Sequence, residues 1–132
     1  MGLLGPLLYL VLLIFGGLAT PGTGIAGTLL AVVPQPVTEY SHAPAYALLT
    51  WLLTYGLQTR GWPRQSALQT SAVAAMVFGV GMEFLQAFVP GRTVDIHDVA
   101  FNAAGIAAAA FLISAGSART CALVPKFQRY RK

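Results

Sequence analysis

The stretch ALQTSAVAAMVFGVGMEFLQAFVPGRTVDIHDVAFNAAG, residues 67–105, decides the fold. Its first part, Ala67 to Phe88, is mostly apolar between its two ends and long enough to cross a bilayer core, which takes about 20 residues. Val89-Pro90-Gly91 stops that helix. A second apolar run opens at Asp95 to Asp98, where acids complement the positive end of a helix dipole. It continues to about Ala115. Two apolar helices joined by a short polar turn are the pattern of a membrane hairpin.

Working outward, an apolar segment at Ser41 to Leu57 predicts another helix. Ser41 or Thr38 can cap it, and Pro44 is read as part of its first turn. A polar loop with Arg60, Gly61, Pro63 and Arg64 follows it. Further back, Leu3 to Leu18 predicts a first helix, with Pro6 in its opening turn. It lacks the basic n-region of a secretory signal, so a retained helix is expected. Between them, residues 20–37 carry Pro21, Gly22, Gly24, Gly27, Pro34 and Pro36. This predicts an interfacial or re-entrant loop. The expectation is an all-α membrane protein: one domain over 1–132, a four-transmembrane-helix bundle with helices at about 3–18, 41–57, 67–88 and 96–115. A Gly/Pro-rich loop joins helices 1 and 2, and a basic tail spans 116–132.

Composition agrees. Of 132 residues, 56% are hydrophobic and 9% charged, against about a quarter charged in soluble domains. The net charge of +4 does not point to nucleic acid, because the basic residues sit at the ends of apolar runs. With four spans, seven of the eight basic residues share one side, which the positive-inside rule makes cytoplasmic. Both termini are then cytoplasmic, in a cell membrane. The other side receives Glu39, His42, Glu83, Gln86, Arg92, Asp95, His97 and Asp98. The single Cys121 excludes an internal disulfide and a multi-cysteine metal site. Rows of small residues, Ala100-Ala104-Ala108 and Gly105-Ala109, suit close helix approach.

The ionisable residues form a pattern. Glu83 and Gln86 share a helix face, and an unpaired carboxylate near lipid is costly. Arg92 can grip a carboxylate with two hydrogen bonds. Asp98, Asn102 and Gly105 lie on one stripe, and Asn102 should bond across to Glu83 or Gln86. A metal site drawn from His42, Glu83, Asp95, His97 and Asp98 is not expected, since His97 and Asp98 are adjacent and cannot easily face one ion. The sequence carries no nucleophile elbow, phosphate loop or zinc helix motif, so an enzyme is not favoured. No cofactor is expected.

The string Glu83, Gln86, Pro90-Gly91-Arg92, Asp98, Asn102, Gly105, with His42 and Tyr46 four apart upstream, resembles the VanZ-like family over roughly residues 38–115. Thr38 and Glu39 stand where that family often has an Asp-Lys pair. The resemblance implies a small multi-helix membrane protein of the cell envelope. The family is named for a member linked to resistance against the glycopeptide teicoplanin, and it supplies no established reaction. The expected site comprises His42, Tyr46, Glu83, Gln86, Arg92, Asp95, Asp98 and Asn102. Its expected ligand is a polar or anionic group at the outer face, such as a membrane lipid or a lipid-linked envelope precursor. The alternatives are an accessory subunit bound to other membrane proteins and a membrane enzyme acting on lipid-linked substrates.

Overall fold

A computed structural model describes residues 2–20, 22–90 and 95–123. They form five helices: α1 Leu4–Gly17, α2 Gly24–Val32, α3 Gln35–Gln58, α4 Arg64–Gln86 and α5 Ile96–Leu123. Among the described residues there is no strand.

Helices α1, α3, α4 and α5 alternate in direction. Gly2 meets Gly56 and Thr59 at one end of α1 and α3, and Tyr9 donates to the Ala45 carbonyl further along (3.2 Å). Gly17, at the other end of α1, meets Met82 and Gln86 of α4. Arg64, opening α4, donates to the Ile113 carbonyl late in α5. The chain therefore puts Arg60 and Arg64 at one end of the bundle. Residues 38–46, 79–86 and 95–102 gather at the other. Along α4 the rise from Arg64 to Glu83 is about 28 Å at 1.5 Å per residue.

The closest packing is between α3 and α5. Gly105 makes it possible, because a Cβ there would overlap the Ala43 carbonyl oxygen. The buried set mixes Leu49, Ala75 and Ile106 with Thr50, Thr54, Ser71, Gln86 and Asn102. Thr50 and Thr54 satisfy their hydroxyls on the carbonyls one turn back, Tyr46 and Thr50 (2.8 and 2.7 Å). Phe15, Val77, Phe84, Phe111 and Leu112 are exposed. Polar side chains inside and large apolar ones outside suit a lipid surrounding.

Several boundaries differ from the sequence expectation. Residues 20–37 are not only loop, since α2 lies within them. It spans nine residues, too few to cross a bilayer. Gly22 and Gly24 have positive φ (79° and 63°), which supplies the turn before it. Helix α3 starts at Gln35 rather than Ser41, because Pro36 sits in the first turn, where its missing N–H costs nothing. Pro44 therefore falls inside the helix. Helix α4 starts three residues earlier than expected, and α5 runs past Ala115 to Leu123. Within the tail, residues 124–132 lie outside the described residues. By length and apolar content α4 and α5 are candidate membrane spans. Helix α1 is apolar but has 14 residues. Helix α3 is long enough, yet His42, Thr50, Thr54 and its aromatic residues dilute its hydropathy.

Gly105→Ala should lower the melting temperature in detergent through the α3–α5 clash. Gly81→Ala, whose Cβ would meet nothing within 4 Å, should leave it unchanged or raise it. Circular dichroism melts of the two variants check this.

Candidate functional site

Three helices converge on one polar cluster. His42 comes from the first half of α3, Glu83 from the last turn of α4, and Asp98 and Asn102 from the opening turns of α5. His42 Nδ1 donates to Asn102 Oδ1 (3.1 Å). An amide oxygen can only accept, so Nδ1 carries the proton and Nε2 is left facing the carboxylates. Nε2 stands 3.7 Å from Asp98 Oδ2. One ligand-capable atom each from His42, Glu83 and Asp98 lies within 4.8 Å of the other two. Asn102 is 1% exposed and Glu83 4%. Asp98 Oδ1 and Asn102 Nδ2 are buried without a hydrogen bond.

The cluster rests on a flat floor. The ring of buried Tyr46 lies parallel to that of His42 (centroids 6.5 Å apart, 5° between planes) and leans on Phe78. Beneath them Gly79 exposes bare α4 backbone. A Cβ at that position would stand 2.9 Å from Asn102 Nδ2 and 3.0 Å from the Tyr46 ring.

Beside the cluster, α1, α3 and α4 border an open-sided pocket of about 210 Å³. Leu12, Leu13 and Met82 contribute apolar lining, and Ser41, His42, Glu83 and Gln86 polar lining. Gln86 Nε2 donates to the Gly17 carbonyl (3.0 Å), which ties the end of α1 to α4.

Of the residues expected to form the site, the structure brings together His42, Tyr46, Glu83, Gln86, Asp98 and Asn102. Arg92 and the side chain of Glu39 lie outside the described residues. Asp95 is elsewhere. Its Oδ1 accepts from the His97 backbone amide and ring (2.8 Å each), so it caps α5 in the open. Those hydrogen bonds, the backbone one foremost, hold its carboxyl below the ordinary value. His97 is 78% exposed and takes no part in the cluster. Asn102 bonds across to a neighbouring helix as expected, but its partner is His42 on α3 rather than Glu83 or Gln86. Sequence reasoning missed Gly79 as a site residue. Its signal was present, because Gly79 lies one helical turn before Glu83 and so shares its face.

Asn102→Ala removes the acceptor of a buried hydrogen bond, so stability should fall by about 1–3 kcal/mol. His42→Ala on that background should cost clearly less than His42→Ala alone. A double-mutant cycle by reversible unfolding in detergent reads this coupling.

A family model described as VanZ/LLP1 matches residues 2–117. No curated protein and no solved structure matches the chain. The matched span takes in α1 and α2 as well as the cluster, which extends the likeness beyond residues 38–115. The chain belongs to the VanZ/LLP1 family.

Proposed function

We propose that this VanZ-like protein binds the polar headgroup of a membrane-embedded envelope molecule, a lipid or lipid-linked precursor, in the pocket between α1, α3 and α4. The observation that carries this reading is the pocket's mixed lining, with Leu12, Leu13 and Met82 beside Ser41, His42, Glu83 and Gln86. A headgroup with its first methylenes carries both kinds of surface. Its volume of about 210 Å³ takes a headgroup rather than a whole lipid. Acceptor oxygens at Glu83 and Ser41 suit a ligand bearing hydroxyl or amine groups. Arg92 would add a grip on an anionic part.

In this reading α1, α3, α4 and α5 all span the membrane, in a four-helix bundle with both termini cytoplasmic. The support is the separation of about 28 Å between the Arg64 end and the Glu83 end, close to the hydrocarbon thickness of about 30 Å. Helix α1 is short for a span, a mismatch that local thinning of the bilayer accommodates. Helix α2, with Ile25 86% exposed, lies at the outer interface. A cysteine placed at Gly91 should label from outside intact cells, and one at Gln65 should not. Reversed labelling would sink the orientation.

For the ligand, the full chain is purified in gentle detergent and weighed by native mass spectrometry. The expected result is a lone chain retaining lipid. Gly16 lines the pocket, and a Cβ there meets nothing within 4 Å. Gly16→Leu should therefore fill the pocket, abolish retention and leave the melting temperature unchanged, while the outward-facing Gly5→Leu retains lipid. Co-migration with stoichiometric partner proteins and no lipid would favour the accessory-subunit reading instead. The family's link to glycopeptide resistance adds one expectation: expression of the chain should raise teicoplanin tolerance in a susceptible host, and Arg92→Ala should reduce that effect more than Arg60→Ala.

A further inference from the structure

We propose that His42 Nε2, a Glu83 carboxylate oxygen and an Asp98 carboxylate oxygen form a site for one divalent transition-metal ion of the zinc type. This departs from the sequence expectation of no metal, whose ground was the adjacency of His97 and Asp98. The structure separates those two. His97 turns away to Asp95, and His42 from α3 takes its place beside Asp98.

Three observations carry the site. The first is convergence: the three ligand atoms come from three helices and lie within 4.8 Å of one another. Around an ion with bonds of about 2.0–2.2 Å in tetrahedral geometry, ligand atoms stand about 3.3–3.6 Å apart. The 3.7 Å between His42 Nε2 and Asp98 Oδ2 is close to that edge, and small rotamer adjustments close the remainder. The second is the state of the imidazole. Asn102 Oδ1 accepts from Nδ1, which leaves Nε2 directed toward the Asp98 carboxylate, where a metal ion would bind. A metal-bound histidine ordinarily has its other ring nitrogen held by such an acceptor. The third is Asp98 Oδ1, buried without a hydrogen bond on the carboxylate whose other oxygen faces His42. A dication would also match the charge of the two carboxylates. One imidazole and two carboxylates suit zinc-type ions. The adjoining pocket, also lined by His42 and Glu83, leaves room for water or a headgroup oxygen at a fourth position.

The test uses the full chain in detergent, stripped with EDTA and titrated with zinc alone by calorimetry. Cobalt(II) is added in a parallel sample for its visible ligand-field bands. The expected result is one equivalent of zinc, a higher melting temperature with zinc, and cobalt bands of a four- or five-coordinate site. His42→Ala and Asp98→Asn should each weaken zinc binding at least tenfold, and His97→Ala should not. If the ligand variants fail to fold, the wild-type cobalt spectrum decides. Absence of zinc uptake and of cobalt bands in the wild type overturns the site, as does binding that survives His42→Ala but not His97→Ala. A chain that retains lipid but takes no zinc overturns this inference alone. One that binds zinc and retains no lipid overturns only the pocket reading.

Discussion

The hydrogen bond from His42 Nδ1 to Asn102 Oδ1 is the contact on which the rest of the arrangement depends. It joins the two helices that pack most closely, α3 and α5, at the polar end of the bundle. It forms because Gly105, almost one turn beyond Asn102, lets the α3 backbone at Ala43 come against α5. A side chain at 105 would hold the helices apart and the bond would lengthen. That bond in turn fixes the ring plane of His42, the parallel placement of Tyr46 beneath it and the direction of Nε2. Gly79 completes the fit by giving the Asn102 amide and the Tyr46 ring a surface without a Cβ.

A single constraint is met by this polar network lying inside. A carboxylate or amide turned toward apolar surroundings without partners is costly. Glu83 and Gln86 occupy the inward face at the last turn of α4 and are buried, whereas Phe84 and Leu85 between them are exposed. The alternation within four residues shows the helix sorting its side chains by polarity. Thr50 and Thr54 solve the same problem differently, by bonding to their own helix. They can then pack in the interior without partners on other helices.

Much of this was legible in the sequence, for reasons that can be named. Helices α4 and α5 were plain because long apolar runs end at Pro90-Gly91 and begin at acidic residues. The Asp98-Asn102-Gly105 stripe was readable because helical spacing alone puts those residues on one face. Three things were hidden. The proline at 36 looked like a loop signal, although a proline in a first turn is compatible with the helix it begins. The nine residues of α2 carry no charge pattern to mark their ends. The partner of Asn102 could not be inferred either. Spacing shows which residues share a face, not which neighbouring helix that face meets. The sequence hairpin suggested α4, whereas the close approach at Gly105 selects α3.

Helix α1 adds the one element that the other three cannot supply. The polar cluster is assembled by α3, α4 and α5 alone, so it could exist as a helix-locking network and nothing more. The pocket exists only because Leu12, Leu13, Gly16 and Gly17 wall it from the side. That wall is latched by Gln86, the residue one turn past Glu83, through the Gly17 carbonyl. Glycine at 17 is what admits the latch, since a Cβ there would press on Met82 and approach the Gln86 amide. The residues that do the pinning, Asn102 and His42, differ in this respect: Asn102 is sealed from the pocket and His42 faces into it. One side of the imidazole therefore serves the fold, and the residue also lines the pocket.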